Sequence, residues 1–361
     1  MFYYLSQLKD FYFGFNIFRY ITFRAAMAAV TTFLLCLIFG PFFINKLKKM
    51  KIQEIAKRHD CPDLDKFVDS KQGTPTMGGI FIVGSIIISV LLWADLANRF
   101  ILLTLMTCIW LYILGFIDDY YKLKGIGKRG LPKRTKLLWE VLLGCFIGAY
   151  VYFSPETTTK LAIPFVKDFI ITMGWFYIPF VAIVLIGTSN AVNLTDGLDG
   201  LAIGCVLIVS ITLAILSYVA GNVNFSEYLL VPYVSGAGEL TVFCAALIGA
   251  SLGFLWFNCF PATIFMGDTG SLALGGTLGV IAVFIKQEMV LAIAGGVFVA
   301  EALSVILQVA SFRLYGKRIF KMSPLHHHFQ FCGWKESKII IRFWIIGIIL
   351  ALLALTTLKI R

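Results

Sequence analysis

Ten mostly apolar stretches, each close to the roughly 17 to 25 residues needed to cross a bilayer as a helix, follow one another from Ala25 to the end of the chain. Lipid offers the backbone no hydrogen bonds, so only helices or closed barrels can span it. The stretches are continuous and do not alternate with period two, which excludes a barrel. The expected fold is therefore all-α, a polytopic integral membrane protein forming one domain over residues 1–361. With 59% hydrophobic and 14% charged residues, an ordinary soluble domain is excluded. The eight cysteines are scattered singly, with no CxxC pair, and read as small core residues. Met1 to Arg24 mixes aromatics with charges and lacks a cleavage site, so it reads as an interfacial segment rather than a signal peptide.

The expected spans are Ala25 to Ile44, Met77 to Ala94, Phe100 to Ile117, Leu137 to Phe153, Phe169 to Gly187, Leu201 to Ala220, Leu240 to Phe257, Thr269 to Ile285, Met289 to Phe312 and Ile339 to Leu358. An even number puts both termini on one side. The connectors after spans one, three and nine carry clusters of lysine and arginine, including Lys46 to Lys51, Lys122 to Lys136 and Arg313 to Lys338, whereas residues 221–239 hold neither. By the positive-inside rule the basic face is cytoplasmic and both termini are periplasmic. Much of the net charge of +11 serves this topology and the grip on anionic headgroups.

Topology alone does not explain the acids. Span three ends in Gly115-Phe116-Ile117-Asp118-Asp119-Tyr120. The link between spans five and six holds Asn190, Asn193, Asp196, Gly197, Asp199 and Gly200, that between seven and eight holds Gly267-Asp268-Thr269-Gly270-Ser271, and the last loop holds Pro324-Leu325-His326-His327-His328. All four fall on the basic face. Carboxylates at the ends of apolar helices are costly, so function is the default reading. Clustered carboxylates beside clustered lysines suit Mg²⁺ and a phosphate or pyrophosphate substrate. Asp118 and Asp119, neighbours that diverge by about 100° on a helix, are expected to have different tasks.

Each cluster also has a plain structural reading. Asp118 and Asp119 could mark a helix terminus at the interface, Asp196 and Asp199 could cap a tight turn, and Asp268 could be an N-cap. It is their convergence on one face that favours chemistry. Three adjacent histidines are poorly spaced for one tetrahedral zinc site and suit hydrogen bonding to phosphate or sugar better. Glu140, Glu301, Gln308 and Arg342 lie within spans, where helix packing accounts for them as well as catalysis does. No phosphate-binding glycine loop, dinucleotide fingerprint or nucleophile elbow is present.

The stretches Lys71 to Gly79, Phe116 to Tyr120, Asn190 to Gly200, Phe254 to Asn258, Phe265 to Ser271 and Pro324 to His328, in that order along the whole chain, resemble the phospho-N-acetylmuramoyl-pentapeptide transferases, or translocase I, among the polyprenyl-phosphate N-acetylhexosamine-1-phosphate transferases. The resemblance implies transfer of phospho-MurNAc-pentapeptide from UDP-MurNAc-pentapeptide to undecaprenyl phosphate, giving lipid I and UMP with Mg²⁺. It implies a bacterial inner-membrane protein with its site on the cytoplasmic face, and often a homodimer. On this chain it makes Asp118, Asp119, Asp268, His326, His327 and His328 the catalytic set, with Asp268 and Asp118 on the metal. Lys71, Thr76, Lys122, Lys136, Asn190, Asn193, Asp196, Asn258, Phe265 and Gln308 would bind the substrates. Gln330 stands where the family often has Glu. A lipid phosphate is ionised near neutral pH, which favours direct in-line transfer over a covalent aspartyl-phosphate route. Rival readings are a sister transferase for GlcNAc phosphate and a transporter of lipid phosphates.

Overall fold

A computed structural model describes residues 1–50, 52, 73–125, 130–155, 157–166 and 170–359. Its helices are α1 (Ile21–Lys49), α2 (Gly79–Trp93), α3 (Arg99–Lys124), α4 (Lys133–Phe153), α5 (Tyr177–Thr195), α6 (Leu201–Ala220), α7 (Val223–Tyr228), α8 (Leu240–Asn258), α9 (Asp268–Phe284), α10 (Glu288–Ala294), α11 (Gly296–Tyr315), α12 (Leu325–Phe331) and α13 (Glu336–Thr356). Among the described residues eight helices are long and apolar enough to cross a membrane, and α2 and α9 are shorter apolar helices. The polytopic all-α expectation is met, with ten apolar helices where ten spans were read.

The boundaries shift where local chemistry competes with hydropathy. The fifth span, expected over 169–187, starts later, because Ile170–Thr172 is instead a strand paired antiparallel with Lys160–Ala162 in a two-stranded sheet. Two of its three residues are β-branched isoleucines and the third is threonine, types that favour extended backbone. The helix begins only at Tyr177 and runs on to Thr195. The run 289–312 is not one helix. It breaks at Gly295, where the chain passes from α10 to α11 through consecutive glycines. Hydropathy cannot see such a break, since the residues around it, Ala292 to Val299, are all apolar or small.

Every residue of α9 from Thr269 to Phe284 is buried. A helix apolar on all sides belongs in the centre, and α3, α5 and α2 pack around it. α1 lies along α8, α4 against α5, and α13 against α6. The outer helices turn Ile38, Phe42, Phe146, Ile306, Leu307 and Leu352 outward, as a lipid-facing surface requires.

The two ends of the bundle differ. At one end Arg24, 1% exposed, pairs through both guanidinium nitrogens with both carboxylate oxygens of Glu239 and donates to the Trp93 carbonyl. From the N-terminal segment Phe18 stacks on the Trp93 ring and Phe2 meets it at a tilt, so the segment read as interfacial is packed against the bundle. Tyr177, Lys286 and Glu288 form a second buried polar group at that end. The candidate catalytic residues occupy the opposite end, held by the last turns of α3, α5 and α8 and the first turns of α4 and α9.

Candidate active site

Asp118 and Asp119 close the lower turns of α3, and Asp268 opens α9. These three carboxylates bring one oxygen each within 4.8 Å of one another. Two cations meet them. The Lys122 ammonium lies 2.8 Å from Asp118 Oδ2, 3.1 Å from Asp268 Oδ2 and 3.6 Å from Asp119 Oδ1. From α4, Lys136 lies 2.7 Å from the same Asp268 oxygen and 3.9 Å from Asp118 Oδ2. Residues 119, 136 and 268 come from three separate helices, so only the folded bundle makes this cluster.

The partners of the two neighbouring aspartates differ as the helix geometry requires. Asp119 Oδ2 accepts the backbone N–H of Thr269 at 2.9 Å and its hydroxyl at 2.6 Å, while Oδ1 is 3.3 Å from the N–H of Asp268. It thus caps the N-terminus of α9, where a carboxylate is favoured both by the free N–H groups and by the helix dipole. Gly267, at φ +75°, makes this possible, since a Cβ there would sit 2.7 Å from Asp119 Oδ2. Asp118 uses Oδ1 to accept the Leu131 N–H at 2.7 Å and turns Oδ2 to the lysines. The oxygens closest to the cations are therefore Oδ2 of Asp118 and Oδ2 of Asp268. Oxygen-only donors beside a cation-filled gap are the chemistry that a hard divalent ion such as Mg²⁺ takes, and the ammonium of Lys122 stands among the carboxylates as a cation would.

The strand-like segment 75–79 runs beside the approach to Asp268. Phe265 donates to the Pro75 carbonyl, Gly78 to that of Phe265 and Gly79 to that of Met266, at 2.8 to 2.9 Å. Thr76 and Phe265 are both half-buried here, and a Cβ on Gly267 would meet Thr76 Oγ1 at 3.3 Å. Lys71 lies outside the described residues.

Other expected site residues hold protein partners. Asn190 Nδ2 donates to both oxygens of the buried Glu140, at 3.0 and 2.9 Å, and to the Ile186 carbonyl. Asn258 accepts from the Gly200 N–H and donates to the Ile264 carbonyl, tying the 196–200 turn to the end of α8. In the same turn Asp199 accepts from Ala262, and its N–H goes to Glu336. Asn193 and Asp196 are half-buried beside it. Gln308 accepts the N–H groups of Ile319 and Phe320 and donates to the Phe320 carbonyl, which fixes the turn after α11.

The histidine triplet opens α12, and its rings diverge. His326 is fully buried against Glu301. His327 Nδ1 meets Gln330 at 2.8 Å, and His328 Nδ1 accepts the Lys321 N–H at 3.2 Å. None belongs to the group that could hold a metal, which among the described residues is Asp118, Asp119 and Asp268. Gly267 and Thr269 stood in the Gly267 to Ser271 motif with no role assigned, and Leu131 was not singled out, yet all three orient the aspartates.

Between α5, α9 and α11 lies an apolar groove of about 250 Å³. Gly187, Ala191, Gly275, Leu278, Ala302 and Leu303 help line it. Gly275 is two turns along α9 from Asp268, about 10 Å at 1.5 Å per residue.

Residues 101–286 match the family model described as glycosyl transferase family 4, and residues 71–83 match signature 1 of the phospho-N-acetylmuramoyl-pentapeptide-transferases. Proteins named phospho-N-acetylmuramoyl-pentapeptide-transferase are similar over nearly full length. That of Pelobacter propionicus is 52% identical over 96% of both chains, that of Brachyspira hyodysenteriae 50% over 98% of both, and that of Desulforapulum autotrophicum 51% over 100% of both.

Proposed function

Because this chain belongs to the phospho-N-acetylmuramoyl-pentapeptide transferases of glycosyl transferase family 4, we propose that it transfers phospho-MurNAc-pentapeptide from UDP-MurNAc-pentapeptide to undecaprenyl phosphate. An oxygen of the lipid phosphate forms a bond to the β-phosphorus, the bond to the bridging oxygen breaks, and UMP leaves with the electron pair, giving lipid I. The single observation that carries this reading is the meeting of three carboxylates and two ammonium groups at one end of an apolar bundle. Pyrophosphate chemistry at a membrane surface needs that combination.

In this reading Asp118 and Asp268 would hold Mg²⁺. When bound there, Mg²⁺ supplies Lewis-acid neutralisation of the phosphoryl charge. Lys122 and Lys136 move from carboxylate to phosphate as the donor enters and stabilise the charge that builds on the leaving UMP. Asp119 keeps the start of α9, and with it Asp268, in place. Thr76, Asn193, Asp196 and Phe265 line the donor side; Asn190, Asn258 and Gln308 shape it through the hydrogen bonds they make. His327 and His328 bind phosphate or sugar. The apolar groove takes the first isoprene units of the acceptor, since its lining, Glu288 at the far end and Thr188 apart, is apolar or small and matches a polyprenyl chain. The protein sits in the bacterial inner membrane with this end toward the cytoplasm, as a homodimer.

The test is UMP release by purified protein. UMP should appear only when UDP-MurNAc-pentapeptide, undecaprenyl phosphate and Mg²⁺ are all present, and an excess of UDP-GlcNAc should not compete. Equal use of UDP-GlcNAc would move the chain to the sister activity. Absence of any UMP under these conditions would overturn the reading.

A further inference from the structure

Glu301 of α11 and His326 of α12 have no exposed surface. A carboxylate in a membrane-spanning helix is expensive and calls for a partner. Glu301 Oε1 accepts the backbone N–H of His326 at 3.2 Å and lies 3.3 Å from its Nδ1. Glu301 Oε2 and both ring nitrogens of His326 are buried with no hydrogen-bond partner, so Glu301 faces Nδ1 by proximity of charge alone. Groups left in that state are few in native structures and ask for a reason beyond packing.

The far side of the ring supplies one. A Cβ built on Gly197 would lie 2.3 Å from His326 Nε2 and 3.0 Å from Cε1. The imidazole thus fills the volume that any other residue at position 197 would need. Gly197 belongs to the 196–200 turn between α5 and α6, whose later half is held by Asn258 on Gly200, by Ala262 on Asp199 and by Glu336 on the Asp199 N–H. His326 bears on its first half, next to Asp196.

We infer that Glu301 is a positioning residue that, through the imidazole of His326, sets where the 196–200 turn stands and hence where Asn193 and Asp196 meet the nucleotide donor. A carboxylate beside Nδ1 favours the tautomer with its proton there and leaves Nε2 bare against the turn. His326 accordingly acts as a brace and not as a catalytic residue, whereas its neighbours His327 and His328 face other partners. The link to the donor rests on the proposed function; the link between Glu301, His326 and Gly197 does not.

Four substitutions and two readouts test this. Glu301→Leu suits an apolar helix interior but removes the acceptor. It should raise KM for UDP-MurNAc-pentapeptide about tenfold with kcat changed by less than about threefold, while Glu301→Gln, which keeps an acceptor oxygen, should stay within about threefold of the parent in KM. Gly197→Ala should raise KM similarly, and in a His326→Ala background it should add less than about twofold, because the cavity then receives the new methyl group. Independently of turnover, ¹⁵N spectra of histidine-labelled protein should show the His326 pair with Nδ1 protonated and Nε2 bare, a pattern lost in Glu301→Leu. The chain has only four histidines, and His326→Ala identifies the signals. A Glu301→Leu protein with parental KM, an additive Gly197→Ala effect, or unchanged His326 signals would overturn the inference. If no UMP is released by the parent but the spectra behave as stated, the functional reading fails and the brace stands.

Discussion

Asp118 and Asp119 are neighbours of identical chemistry, yet one spends its oxygens on the N-terminus of α9 and the other keeps an oxygen on two lysines. Different substitutions should therefore fail differently. Asp268→Asn and Asp118→Asn remove charge from the cation site and should lower kcat by at least about a hundredfold, with the thermal midpoint little changed. Asp119→Ala removes a cap and two charge-assisted hydrogen bonds, so it should cost about 2 kcal/mol of stability, read as a lower midpoint in detergent, with activity falling alongside. Lys122→Met removes the cation that competes for the carboxylates. Mn²⁺ bound in the absence of substrate, followed by electron paramagnetic resonance, should bind more tightly to this variant, while KM for the donor rises. Looser Mn²⁺ binding would mean that the ion and Lys122 do not share the site. The residue types in the cluster were legible in the sequence, because carboxylates and lysines seldom end apolar runs without reason. Their partners were not, since Lys136, Thr269 and Leu131 reach the aspartates from other parts of the chain. Asn190 and Gln308 show the same limit: both turn their amides to protein groups that hydropathy and motif do not reveal.

Among the elements, the break at Gly295 and the late start of α5 came from local backbone chemistry beneath an apolar surface pattern. The clamp at the far end also acts between elements: Arg24 at the start of α1 reaches Glu239 before α8 and the carbonyl that ends α2. Removing one partner of a buried pair leaves the other uncompensated and costs about 3 to 5 kcal/mol. Arg24→Met should therefore lower the thermal midpoint strongly, and adding Glu239→Leu should recover most of the loss, with kcat of the folded fraction unaffected because the clamp is a membrane's width from the aspartates. If the double variant were no more stable than Arg24→Met, the pair would not be what holds that end together.

For the whole molecule, the loops that carry chemistry converge at one end, so labelling can read the orientation. Cys332 is exposed and follows the histidine triplet on α12. In a variant keeping it as the only thiol, a membrane-impermeant maleimide should react in inverted vesicles and not in intact spheroplasts. The reverse pattern would place the site outside and contradict the charge-based topology.

By itself the sequence determined the solvent of the fold, the helical class, the approximate number of spans and the gathering of the acids and histidines at one end of the bundle. These follow from local composition, because the bilayer acts on each segment separately and the charge of each connector sets its side. Tertiary structure alone decided which oxygen of which aspartate faces a cation, that Asp119 caps α9, and that His326 braces Gly197 from beneath. Such contacts join residues up to 150 positions apart, and what selects them is close packing in three dimensions, which no single segment encodes.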